Sequence, residues 1–450
     1  MNATRRGFLR GGAALVGASA LPFAPLPALA SGGGYKALVC VMLVGGLDGH
    51  DTVIPADASG YADWSASRAG LLEEYDRVGA LASRERGGLA ALGASGFGLP
   101  GEMAGLADLY GAGDLAVLAN VGPLMGHGTK NDHKRGLVPT PPRLMSHNDQ
   151  RSLWQSLAAE GALTGWGGGL IEASREASPF SAISVSGQST FLTGRAKRGF
   201  EVDPSGDMVI RTIRPESGQA RSVKDVMREH YLDAGADQAN LFARDVAEAR
   251  SRAVGATLDL QDLLEGKTAG DGVVIEGNDL SVQLAMVAKL ISERGALSVN
   301  RQIFYCTMSG FDTHEAQAER LPALQASLTE ALVRFQAEMA RQGRADSVTT
   351  FTASDFGRSL SPNAKLGTNH GWGGHHFAMG GAVRGGQMLG EMAPPVLRHE
   401  HDWGAGRLVP TTAIESYAAA LGRWFGVGEG DLRQIFPRLP RFDADRLALF

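Results

Sequence analysis

Three apolar runs in this 450-residue chain lead into an aspartate. KALVCVMLV (36–44) runs into GGLDGHD, which carries Asp48. QIFYCTM (302–308) runs into SGFDTH, with Asp312 and His314, and VTTFT (348–352) into ASDFGR, with Asp355. A later segment, GTNHGWGGHH (367–376), adds His370 and His375. Carboxylate oxygens and imidazole nitrogens together are a divalent-metal set. They suit Zn, Mn or Fe, and Mg as the histidine share falls. Singly, each has a plain structural use, since an Asp after a strand often caps the next helix. The recurrence at three strand ends is what points to a metal. Ser146 opens a helical pattern, SHNDQRSLW. A serine there is ordinarily an N-cap. Helix N-termini also hold phosphate and sulfate oxyanions, and a hydroxyl there beside a metal could act as a nucleophile. Both readings stay open. His127, Asp132 and His133 match no ligand spacing, and His399 and His401 flank Glu400 in what reads as a solvated loop.

These residues need a scaffold that brings strand ends together. The runs at 36–44, 115–121, 181–185, 302–308 and 348–352 are apolar enough for strands buried on both faces. Between or after them, helical spacing spans 146–159, 238–254, 280–293, 322–342 and 414–425. Strands alternating with helices predict an α/β fold with a mostly parallel central sheet flanked by helices. Such sheets bind ligands at the carboxyl ends of their strands. Residues 197–224 are charged and poorly periodic. They predict an excursion from the sheet, a cap within about 194–235. No Pro/Ser-rich linker divides the chain, so residues 31–450 are expected to form a single domain.

The composition is globular, with 44% hydrophobic and 20% charged residues. A net charge of −5 argues against nucleic acid as a partner, whose footprint is a basic stripe. The 61 glycines are about twice the usual share of roughly 7% and predict many tight turns. Residues 1–30 read as an export address: TRRGFLR, an apolar stretch, three prolines and the small-x-small site Ala28-Leu29-Ala30. This is a twin-arginine signal, so the expected partner is the twin-arginine translocase and the expected location the periplasm. An uncleaved anchor is the alternative, although the stretch is shorter than the ~20 apolar residues that span a bilayer. No stable membrane span is expected elsewhere. The twin-arginine route carries folded proteins, which suits metal loading before export. An oxidising destination would permit a disulfide. Cys40 and Cys306 are nonetheless expected as buried free thiols on neighbouring strands.

The order of twin-arginine signal, GGLDGHDTVIP, SHNDQRSLW, GFDTH, SDFGR and GTNHGWGGHHF resembles the exported bacterial family known as domain of unknown function 1501. That family looks like a branch of the alkaline phosphatase and sulfatase superfamily. The resemblance implies an alkaline phosphatase-like fold with two metals at the strand ends. It implies Ser146 as the helix-start nucleophile, Asp48 and Asp355 on one metal, Asp312 and His314 on the other, and His370 shared with that second site. Zn leads among the ions, with Mn, Fe, Mg or Ca as the others. The chain departs from the superfamily at Phe356, where a His is usual, and in the short Asp312–His314 spacing. Asn369 stands where relatives often carry Asp. The first departure leaves one metal a ligand short, and His147 or His375 are the candidates to supply it. The expected function is a periplasmic metal-dependent hydrolase of phosphate or sulfate esters, acting on a small-molecule or polysaccharide ester. The alternatives are a non-catalytic or weakly catalytic envelope binding or assembly protein on the same fold, and an esterase of surface polysaccharide.

Overall fold

A computed structural model describes residues 34–206, 223–233, 235, 240–445 and 447–450. The export address, 1–30, lies outside the described residues, as do 207–222 and 234 of the expected cap. Nine strands make the main sheet: β1 (Lys36–Val44), β2 (Leu115–Gly122), β3 (Ala182–Ser184), β4 (Phe200–Glu201), β5 (Arg301–Ser309), β6 (Val348–Ser354), β7 (Gly374–Met379), β8 (Met388–Leu389) and β9 (Thr412–Ala413). Their order is β8-β2-β7-β6-β1-β5-β3-β4, with β9 also beside β2. All five apolar runs are strands of this sheet. β7 alone runs antiparallel to its neighbours, β2 and β6. Its sequence, GGHHFAMG, reads as a ligand loop rather than a strand. The expected excursion also returns to the sheet, where Phe200–Glu201 pairs with β3.

The helices include α1 (Ala58–Ser67), α2 (Ala69–Arg77), α3 (Ala104–Ala112), α4 (His147–Ser156), α5 (Trp166–Ala173), α6 (Leu241–Leu264), α7 (Asp279–Ser292), α8 (Gln317–Arg341) and α9 (Ile414–Phe425); Lys130–Lys134, Val223–Leu232 and Glu429–Ile435 are helical too. β1 shows how the layers form. Its odd residues Ala37, Val39, Val41 and Leu43 pack with Leu284 and Val287 of α7 and Leu328, Leu332 and Phe335 of α8. Its even residues Leu38, Cys40 and Met42 join Leu170 of α5 and Tyr417 and Leu421 of α9 on the other face. This alternation follows from the two-residue period of a strand. It also sets the cysteines. Cys40 is level with Tyr305 and Cys306 with Val41, so the two thiols lie on opposite faces of the sheet, buried and free. α8 begins five residues before its expected start at 322 and carries Pro322 inside it. No helix among the described residues is long and apolar enough to cross a membrane.

The turn after β1 is forced to be glycine. Gly45 and Gly46 have φ of +117° and +91°, a region that L side chains avoid. A Cβ on Gly45 would stand 2.4 Å from the Asp312 backbone nitrogen, and one on Gly46 2.5 Å from the Phe356 ring. The turns after β1, β5 and β6 can therefore close on one another only here.

Candidate metal centre

Four segments meet at the carboxyl ends of β1, β5 and β6. The β5 turn brings Asp312 and His314, the β6 turn Asp355 and Arg358, a glycine-flanked loop His370, and the start of α4 His147. One ligand atom each from His147, Asp312 and His370 lies within 4.8 Å of the others. His370 Nε2 is 3.2 Å from Asp312 Oδ1, and His147 Nε2 is 3.6 Å from Asp312 Oδ2. Two ligands about 2.0–2.1 Å from a tetrahedral ion stand about 3.4 Å apart, and both distances lie near that value. His314 Nε2 approaches His370 Nε2 at 2.7 Å.

The ring orientations also suit ligation. His370 Nδ1 lies 2.8 Å from the Met145 carbonyl oxygen, which can only accept. Nδ1 therefore carries the proton and Nε2 presents a lone pair to the cluster. His147 Nδ1 lies 2.7 Å from Asp355 Oδ2, which again leaves Nε2 free to face Asp312. A backbone carbonyl and a carboxylate holding the far nitrogen are how ligating histidines are oriented. Burial, together with the nearby His147, Arg358 and His314, holds His370 below its ordinary pKa against the Met145 bond, in the neutral form a metal requires. Burial raises the Asp312 carboxyl, but Arg358 and the histidines outweigh it and leave it below the usual range. Two nitrogens and an oxygen suit Zn, Mn or Fe better than the all-oxygen shells of Ca or Mg. Asp312 is 44% exposed, so the cluster opens to solvent.

The other expected ligands go elsewhere. Asp48 is buried, with both carboxylate oxygens 2.8 Å from Arg68 Nη2 and Oδ2 2.7 Å from Gln317 Nε2. Asp355 takes two hydrogen bonds from Arg151, at 2.9 and 3.0 Å, and one from the Gly45 N–H at 3.0 Å. Burial raises the Asp355 carboxyl, while His147 and Arg151 bring it down to a net low value. It serves His147 rather than the cluster directly. His375 sits inside β7, where its Nδ1 accepts the Asn120 N–H at 3.0 Å and burial drives its pKa to about 3. Ser146 is the N-cap residue of α4, between Met145 and His147. Phe356 makes an apolar wall, 4.7 Å from the His147 ring and 4.4 Å from that of His370.

Two arginines complete the site. Arg358 is buried and donates to the carbonyls of Gly45, Gly46, Phe311 and Thr368 and to Asp312, tying the three turns together. Arg151 lies four residues after His147, the helical spacing that puts both on one face toward Asp355. That spacing was available in SHNDQRSLW.

The family model described as Protein of unknown function (DUF1501) matches residues 35–433. The chain belongs to the DUF1501 family. No curated protein matches this DUF1501 sequence. Similar solved structures include Ps i-CgsB in complex with k-i-k-neocarrahexaose, at 7% identity and TM-score 0.35, with 92% of this chain and 77% of that one covered. Another is the phosphonate monoester hydrolase SpPMH from Silicibacter pomeroyi, at 9% identity and TM-score 0.35, covering 87% and 74%. A third is the lipoteichoic acid synthase LtaP from Listeria monocytogenes, at 7% and 0.30, covering 88% and 73%.

Proposed function

We propose that this protein is a metal-dependent hydrolase of phosphate or sulfate esters, exported to the periplasm by the twin-arginine route. The observation that carries the reading is the pair of oriented imidazoles, His147 and His370, whose Nε2 atoms meet Asp312 at ion-shell spacing. A divalent ion held by these three residues would supply Lewis-acid stabilisation to the oxyanion being transferred. The chain's own groups do the rest. Asp355 and the Met145 carbonyl fix the two rings. The first N–H groups of a helix such as α4 have no partner within it and favour an anionic group at its start. Ser146 stands at that end as the nucleophile. Asp48 and Asp355 are each neutralised by an arginine, which favours one ion rather than two.

A second reading is a binding or assembly protein of the cell envelope on the same fold. It is favoured by Arg358, which gives Asp312 a counter-charge without any metal. Metal content decides. Elemental analysis of purified protein should find close to one divalent ion per chain, and the protein should cleave p-nitrophenyl phosphate or p-nitrophenyl sulfate. His370→Ala should lose both metal and turnover. A parent that holds no metal and cleaves neither ester sinks the hydrolase reading and leaves the binding protein.

A further inference from the structure

Ser146-His147-Asn148-Asp149 has the spacing of a capping box, in which the serine oxygen accepts the N–H three residues on and the acid accepts the serine N–H. Thr129 and Asp132 close such a box in this protein. There the carboxylate takes the Thr129 N–H at 2.8 Å as well as the hydroxyl at 2.7 Å. Ser146 does otherwise. Its side chain makes no capping bond, and its N–H goes to the Arg143 carbonyl at 3.2 Å. The hydroxyl donates to Asp149 Oδ2 at 2.9 Å. Asp149 is 2% exposed, and its Oδ1 has no hydrogen-bond partner. Arg143 Nη1 reaches that oxygen only at 3.7 Å. A buried carboxylate is normally bonded through both oxygens, so this one keeps unspent capacity beside a single hydroxyl. Ser146 is also bracketed by residues that touch the metal cluster, through the Met145 carbonyl and the His147 ring.

We propose that Asp149 is a catalytic residue that takes the hydroxyl proton of Ser146 as the serine attacks. In that step the Oγ–H bond breaks and its proton passes to Asp149 Oδ2. A bond forms from Oγ to the ester phosphorus or sulfur, and the ester oxygen leaves with the electron pair of the bond that breaks. The oxygen of a water then bonds to the phosphorus or sulfur as its bond to Oγ breaks; Oγ takes back the proton held by Asp149, and a proton of the water passes through solvent to the departed ester oxygen. The identity of the electrophile rests on the hydrolase reading; the activation of the serine does not.

A fluorophosphonate probe tests it without a known substrate. In that reaction the Oγ–phosphorus bond replaces phosphorus–fluorine, fluoride departs, and Asp149 takes the proton. Intact-mass and peptide spectra should show Ser146 modified in the parent and nothing at that position in Ser146→Ala. Asp149→Asn keeps an acceptor oxygen for the hydroxyl but lacks the basicity, so labelling should slow about 100-fold, the low end for a lost general base. Asp149→Glu should recover part of the rate. A merely capping Asp149 predicts parental labelling in Asp149→Asn, and that result overturns the proposal. So does a parent left unlabelled, whatever the folding of the variants. Asp149-dependent labelling that persists after chelator treatment, in a protein with no ester turnover, leaves the dyad standing while the hydrolase reading falls.

Discussion

Asp355→Asn separates a metal ligand from a residue that aims one. In the structure Asp355 accepts from His147 Nδ1 at 2.7 Å, from the Gly45 N–H and twice from Arg151. An asparagine can place its single oxygen toward His147 and Gly45, but its NH2 then faces the Arg151 guanidinium, donor against donor. Arg151 is 34% exposed and can turn to water, so its release is cheap. The His147 bond survives but loses its charge assistance. That takes it from roughly 1.5–3 to roughly 0.5–1.5 kcal/mol. A loss of about 1–1.5 kcal/mol in the orientation of one ligand is about 5–13-fold in metal affinity, at the low end of the ~10–100-fold range for such orienting residues. The assay is competition for metal against a chromophoric chelator, with thermal melting to confirm the fold. An affinity within about twofold of the parent would show that Asp355 aims nothing. An affinity as poor as that of His370→Ala, in a folded protein, would make Asp355 a ligand itself.

Three other outcomes are expected. The buried His50, His375 and His376 are each depressed to about 3 by burial, from an ordinary 6.5. The unfolded chain therefore binds more protons between those values, and stability is full above about pH 6.5 and falls as pH drops through the window. The loss should reach at most about 4 kcal/mol at about pH 5.5, read as a lower urea midpoint than at about pH 7.5, and equal midpoints would refute it. Asp51→Ala strips a buried carboxylate from Arg84 at 2.8 Å, Tyr75 at 2.6 Å and Arg68 at 3.4 Å. It should cost about 3–5 kcal/mol of unfolding free energy, and a loss below about 1 kcal/mol would contradict the network's role. Changing Arg5 and Arg6 together to Lys should hold the precursor in the cytoplasm, and an unchanged periplasmic yield on fractionation would remove the twin-arginine reading.

The parts of the molecule legible in sequence are those governed by periodicity. β1 occupies the span of its apolar run, and α9 matches 414–425, because both bury a face that the pattern marks. β7 was hidden. Its glycines and histidines look like a ligand loop, yet His375 and His376 are buried in the strand and spent on packing. At the site, Asp312, His314 and His370 come together. Asp48 could not be placed from the chain alone, since its partner Arg68 arrives from the junction of α1 and α2 and nothing in its spacing announces a buried ion pair. The same holds for the Met145 carbonyl, which no side-chain motif can encode.

The position of β1 has a consequence for how the chain is made. Its first residues are level with Arg301 of β5 on one side and Val348 of β6 on the other. Both neighbours are synthesised more than two hundred residues later. At roughly 5–20 residues per second, β1 leaves the ribosome about 13–53 s before either exists. Pairing of such high contact order is slow even once the strands are present. For that interval KALVCVMLV is an unpaired, uncharged strand after its first lysine, open to association with other chains. The earliest strand to emerge thus waits for partners made far later, and delay in finishing the C-terminal half should send this protein to aggregates rather than to a partly folded store.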